Sequence, residues 1–250
     1  MKSVEVASSS TLEPRERLIV ALDAPDVPHA ERWVEMLDES VVFYKVGMEL
    51  VYGDDGLAFA RRLVDSGKRL FLDLKLHDIP NTVARATARI ARLGVDFLTV
   101  HAYPQTMRAA LEGAGGSGLR LLGVTALTSC DDADLAEAGY ALDVRALVER
   151  RAAQAESIGL FGVVAAPSEA AMLRASRSRN LAIVTPGVRP TGVDSGDQKR
   201  VATPSRAIAD GADYLVVGRP VTGALDPRAT AEAIVAEIAA AAAAREAVAR

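Results

Sequence analysis

The stretch RLFLDLKLHDIPNTVARATARIARLGVDFLTVHA, residues 69–102, holds the fold in miniature. RLFLDLK (69–75) is an apolar run of strand length, and FLTVHA (97–102) is a second. Near-continuous apolar strands are buried on both faces, which is the habit of parallel sheets. Between the two runs, Pro80 to Leu93 reads as a helix, opened by a proline that suits the first turn. Strand, helix and strand in this order make one β/α unit. One feature is foreign to a buried strand. Asp73 and Lys75 lie two residues apart, so in a regular strand they share a face, and Asp78 follows just past the strand end.

The unit recurs along the chain. RLIVALD (17–23), VVFYKVG (41–47), LRLLGVTAL (119–127), LFGVVAA (160–166), LAIVTPGV (181–188) and DYLVVGR (213–219) are further strand candidates. Helical patterns fall over 28–39, 49–66, 105–112, 143–157, 168–177 and 204–210, with an Ala-rich helix from about 227. Eight strands alternating with helices predict an α/β protein with a closed (β/α)8 TIM barrel, in preference to an open doubly wound sheet. No compositional break divides the chain, so a single barrel domain is expected over residues 17–250, after a loose arm at 1–16. EGAGGSG (112–118) contains a G-x-G-x-x-G pattern, but it follows a helix and precedes a strand. Dinucleotide binding needs the reverse order, so this segment reads as a connector.

Bulk properties narrow the function. Half of the 250 residues are apolar, and the net charge is −4, which argues against a nucleic-acid or membrane-surface protein. No apolar run reaches membrane-spanning length, and the first residues lack the apolar stretch of a secretory signal. The single cysteine, Cys130, excludes an internal disulfide framework and a cysteine-built zinc site. A cytoplasmic protein is expected. His29, His77 and His101 are too scattered to suggest a metal site. His77 reads as a local structural or loop residue, and His101, at the rim, as a residue that packs or supports the site and does not itself catalyse.

In a barrel, chemistry gathers at the C-terminal ends of the strands. Asp23 closes the first strand, Lys45 lies near the end of the second, and Asp73 and Lys75 end the third. Arg189 follows the seventh strand and Arg219 ends the eighth. A carboxylate beside a lysine favours the charged ammonium, an acid and not a nucleophile. The carboxylate also repels an anionic group beside it, and that repulsion ends if the group departs. Such an alternation suits decarboxylation followed by protonation. Gly218 and Arg219 lie where barrels commonly grip phosphate, since the Arg fork matches phosphate oxygens. The long loop TPGVRPTGVDSGDQKRVATP (185–204), with Gln198, suits a lid over that end.

From Leu18 to Thr222 the chain resembles the orotidine 5′-phosphate decarboxylase family: ALD, YKVG, FLDLKLHDIPNTV, LTVHA, GVTALTS, TPGVRP, DQKR and VVGRPVT occur in order. The D-x-K-x-x-D core is moderately specific alone and highly specific in that company. The resemblance implies decarboxylation of orotidine 5′-phosphate (OMP) to UMP with no metal and no organic cofactor. It implies a charged tetrad of Lys45, Asp73, Lys75 and Asp78, with Lys75 as proton donor to C6 and Asp73 beside the departing carboxylate. Asp23 and Lys45 would bind ribose hydroxyls, and Thr128 would meet the pyrimidine. Arg189, Gln198, Gly218 and Arg219 would hold or cover the phosphate. Asp78, assisted by Thr82, would reach into the partner's site, implying a homodimer with shared sites. The main alternative is a Mg-dependent sugar-acid phosphate decarboxylase with a similar core. An aldose–ketose isomerase and a non-catalytic phosphate binder are more distant readings.

Overall fold

Eight parallel strands pair in chain order, and the last returns to the first, so the sheet closes into a barrel. The computed structural model describes residues 12–177, 180–190 and 202–248. The strands are β1 (Leu18–Ala21), β2 (Phe43–Gly47), β3 (Arg69–Leu76), β4 (Phe97–His101), β5 (Arg120–Val124), β6 (Gly162–Val164), β7 (Ala182–Thr185) and β8 (Tyr214–Val217). Seven lie within an apolar run expected to form a strand, and β3 extends one residue past its run, to Leu76. Helix α1 (Pro14–Arg17) precedes the barrel, and α2 (Val27–Leu37) leads to β2. The stretch 49–66, expected as one helix, is two, α3 (Met48–Tyr52) and α4 (Gly56–Asp65). Asp55, with φ of 62°, turns the chain between them.

Helices α5 (Pro80–Ala91), α6 (Pro104–Ala114), α8 (Val144–Ile158), α9 (Pro167–Ser176) and α10 (Pro204–Ala209) match the expected pattern, after a short α7 (Asp132–Glu137). That short helix is opened by Asp131, whose carboxylate accepts from Ala133 and Asp134 N–H while Asp134 answers back to Asp131 N–H. Helix α11 (Arg219–Thr222) follows β8 directly, and α12 (Pro227–Val248) closes the ring. The glycine-rich connector behaves as one: α6 ends at Ala114, and Gly115, its cap, and Gly116 turn the chain at φ of 54° and 73°. A Cβ on Gly113 would stand 2.2 Å from the Ala84 carbonyl oxygen, so this glycine lets α6 lie against α5.

Alternation sorts the strand side chains into two cores. Outward-facing residues such as Val20, Val46, Leu72 and Leu98 pack beneath the helices. Inward-facing Ile19, Phe43, Phe71, Phe97, Leu122, Val184 and Tyr214 fill the barrel as a plug. Phe97 meets Phe43 at 5.1 Å and Tyr214 edge-on at 5.1 Å. Each such ring is worth roughly 1.5–3 kcal/mol of burial, and together these side chains fill the lower barrel.

The base is stapled by ion pairs. Asp213, just before β8, accepts from Arg174 at 2.5 Å and from Ile183 N–H at 2.9 Å. Its carbonyl takes Arg17 Nη1 at 3.3 Å, and Arg245 of α12 stands 3.7 Å from its second oxygen. Residues 12–16, expected within the loose arm, instead join this base: Leu12 packs on the aromatic plug, and Glu16 pairs with Arg69 at 3.4 Å. The apolar plug offers Leu12 a surface, and Arg69, stacked on Phe43 at 4.2 Å, offers Glu16 a cation.

Candidate active site

Above the plug the inward-facing positions turn polar. Two residues past Phe43 stands Lys45, two past Phe71 stands Asp73, and two past Phe97 stands Thr99. Strand alternation therefore carries the same three strands from an aromatic layer to a charged one. Lys45 Nζ donates to Asp23 Oδ1 at 2.7 Å and lies 3.7 Å from Asp73 Oδ2. Lys75 Nζ donates to Asp73 Oδ2 at 2.8 Å, and Thr99 Oγ1 donates to Asp73 Oδ1 at 2.8 Å. The result is a row of alternating sign: Asp23, Lys45, Asp73, Lys75.

Burial and charge compete at Asp73. Desolvation pushes its carboxyl upward, but the ammonium groups of Lys45 and Lys75 and the hydrogen bonds from Lys75 and Thr99 outweigh it. The net effect holds Asp73 below the usual carboxylate range, so it is an anion at neutral pH.

The i and i+2 expectation for Asp73 and Lys75 holds in outcome but not in mechanism. Strand β3 is irregular here: Leu72 pairs with Leu98, but Leu76 pairs with Val100, so β3 spends extra residues against β4. Lys75 has φ of 46°, in the left-handed region that a lysine rarely adopts.

The row opens into a cleft of about 530 Å³ at the C-terminal mouth. Asp23, Lys45, Asp73, Lys75, Thr128, Arg189, Gly218 and Arg219, all singled out from sequence, line it. Phe71, Val124, Val164 and Val216 give it an apolar floor and wall. Arg189 is buried, and its N–H donates to the Ala202 carbonyl at 2.9 Å, next to a bridge between Val188 and Ala202. These contacts join the two ends of the long loop; Gln198 lies outside the described residues. Asp78 and Thr82 are exposed and do not line this cleft. Asp78 accepts instead from Ile79 N–H at 2.7 Å, and Ile79 itself is 66% exposed.

Neither Thr99 nor Gly47 was assigned a role from sequence. Thr99 is an ordinary strand residue whose place shows only once its parity with Phe97 is known. A Cβ on Gly47 would lie 3.2 Å from both Asp23 Oδ1 and Lys45 Nζ, so the glycine leaves room for that ion pair. Behind Lys75, His77 stacks on Tyr103 at 4.5 Å, and His101 meets His77 edge-on. Burial first, then the neighbouring His77, Arg151 and Lys75, hold His101 below the usual histidine range, which leaves it a neutral packing group. His29 sits apart, bonded to the helix-capping Asp26. Among the described residues, no three His, Cys, Asp or Glu side chains gather as metal ligands would.

The sequence model of the Orotidine 5′-phosphate decarboxylase / HUMPS family matches residues 16–234. The chain belongs to this family. An orotidine 5′-phosphate decarboxylase of Afipia carboxidovorans is 61% identical over 226 residues, covering 90% of this chain and 96% of that protein. One from a Bradyrhizobium species is 60% identical over 230 residues, covering 92% and 94%. The crystal structure of orotidine 5′-phosphate decarboxylase from Lactobacillus acidophilus matches with a TM-score of 0.79 at 39% identity, covering 88% of this chain and 98% of that one. The family match spans every strand of the barrel and each residue lining the charged row. Among the described residues no helix is long and apolar enough to cross a membrane.

Proposed function

We propose that this family member decarboxylates OMP to UMP and CO2 in pyrimidine biosynthesis, in the cytoplasm, using protein groups alone. The observation that carries the reading is the Asp73–Lys75 contact of 2.8 Å inside the cleft that Arg219 also lines. The C6–carboxylate bond breaks, its electron pair stays on C6, and CO2 leaves. Lys75 then gives a proton from Nζ to C6 and regains one from water. Each tenfold acceleration requires about 1.4 kcal/mol of transition-state stabilisation. The Lys75 ammonium, held in place before reaction, supplies it to the charge that develops at C6. Asp73 stands beside the departing carboxylate and, as an anion, favours its loss.

Asp23 and Lys45 serve the ribose hydroxyls, Thr128 the pyrimidine, and Arg219, the Gly218 amide, Arg189 and Gln198 the phosphate. The apolar wall of Val124, Val164 and Val216 suits a flat ring. Cleft carboxylates already engaged by Lys45, Lys75 and Thr99 favour a reaction without a metal over the Mg-dependent alternative. Protein treated with EDTA is expected to consume the orotidine absorbance signal when given OMP. A requirement for added Mg2+, or turnover of sugar-acid phosphates only, overturns the assignment.

The active form is a homodimer in which Asp78 and Thr82 complete the partner's cleft. Their exposure outside their own cleft, beside the exposed Ile79, supports this. Mixing inactive Asp78→Asn and Lys75→Ala proteins should restore activity through one intact site per heterodimer, and no recovery would argue for self-contained sites.

A further inference from the structure

We propose that Thr99 is the positioning residue that sets the geometry of the Asp73–Lys75 pair. The role rests on the decarboxylase reading for its kinetic consequence, but its structural core is independent of substrate. Thr99 is fully buried on β4, opposite the stretch where β3 departs from regular pairing. Its hydroxyl donates to Asp73 Oδ1 at 2.8 Å and accepts from the Lys75 backbone N–H at 3.0 Å. A hydroxyl has one proton to give and lone pairs to receive, so both bonds form at once. One oxygen thus ties a side chain at one end of the irregular stretch to the backbone at the other.

The second bond falls on a strained residue. At φ of 46°, Lys75 is held against its steric preference, and its N–H has left the regular ladder to β4. Thr99 gives that N–H its partner. Without the hydroxyl, the Lys75 N–H and Asp73 Oδ1 both lose a bond in a place where replacement is costly. The chain is then free to relax toward ordinary strand dihedrals, which would swing Nζ away from Asp73 Oδ2. Misplacement of a reacting group by about an ångström can cost about 100-fold in rate. Thr99 does not line the cleft, so substrate affinity should change far less than turnover.

The test compares Thr99→Val, which keeps the shape without the hydroxyl, with Thr99→Ser, which keeps the hydroxyl. Thr99→Val is expected to lower kcat for OMP by about 10- to 100-fold, with KM within about threefold. Thr99→Ser should stay within about threefold of the unaltered protein in both. Should Thr99→Val not fold, Thr99→Ala is measured in its place with the same expectation. Wild-type-like kcat in the variant lacking the hydroxyl overturns the proposal, as does an equal loss in Thr99→Ser. Crystal structures of the variants supply a readout apart from activity. Without the hydroxyl, Lys75 should leave the positive-φ region and the 2.8 Å contact should open, and an unchanged pair refutes the clamp. If the unaltered protein fails to consume OMP, the decarboxylase reading falls, and these structures still decide the role of Thr99.

Discussion

Two aspartates, one buried and one partly buried, stand at opposite ends of the barrel and have different kinds of partner. At the base, Asp213 is met by Arg174, the Ile183 N–H and Arg245, and its side chain is only 2% exposed. At the mouth, Asp73 is met by Lys75, Lys45 and Thr99, and its side chain is 15% exposed. Arginine forks are always charged and join several acceptors in fixed geometry, so the base is a staple between α9, α12 and the strands. Lysines are compact point charges, and Lys75 bonds a single carboxylate while lining the open cleft. Charge ties elements together at the base, and at the mouth it faces an open cleft.

Four variants probe that division, beginning with the strongest. Lys75→Ala should lower kcat for OMP by about 10⁴-fold, the upper range for losing a general acid, while nucleotide binding by calorimetry persists. Near-normal turnover would remove Lys75 from the proton-donor role and erase the distinction between the two ends. Asp213→Ala should cost about 3–5 kcal/mol of stability by removing the carboxylate that Arg174, Arg245 and the Ile183 N–H share. Its activity per folded molecule should be unchanged, as followed by denaturant melts beside assays at low temperature; lost activity in fully folded protein would show that the base is not merely structural.

The pH dependence of Asp73 should be weaker but of definite sign. The neighbouring lysines hold its carboxyl below the ordinary carboxylate value of about 3.8, so its contribution to stability is present above that value. The contribution is lost as pH falls through the still lower folded value. Asp73→Asn should therefore show a shallower acid limb than the unaltered protein below about pH 3.8 in a titration of unfolding free energy. Equal slopes would mean the lysines do not stabilise the anion. Gly47→Ala should have the smallest effect. The new Cβ presses on the Asp23–Lys45 pair at 3.2 Å, but Asp23 is 57% exposed and can yield. A change in KM below tenfold, about 1.4 kcal/mol, is expected, with the melting temperature unmoved.

Much of this design is readable in the sequence because its signals are local. Apolar runs of strand length and proline-opened helices mark each β/α unit, and charges at strand ends stand out against that frame. What escaped depends on three-dimensional neighbours. Asp213 precedes a strand like any solvated turn residue, and Arg17 reads as the first residue of β1; only folding brings them within 3.3 Å. Thr99 has the profile of a β-branched filler until its hydroxyl is seen between Asp73 and Lys75. The split between α3 and α4 turns on the backbone of Asp55, which has no periodic signature. Alternation predicted the shared face of Asp73 and Lys75 although the strand is irregular there, because Thr99 holds the irregular chain in place.

The closing seam of the barrel has a consequence for biogenesis. Leu18, Ile19 and Val20 of β1 pair with Leu215, Val216 and Val217 of β8, so the first strand waits for the last before its ladder is satisfied. Contacts between such distant parts of a chain slow folding and leave strand edges exposed in the interim. The loop carrying Asp23 and the turn carrying Arg219 become neighbours only across that seam. A ribosome-bound chain that has not yet released its eighth strand can hold a growing sheet, but it has no complete cleft.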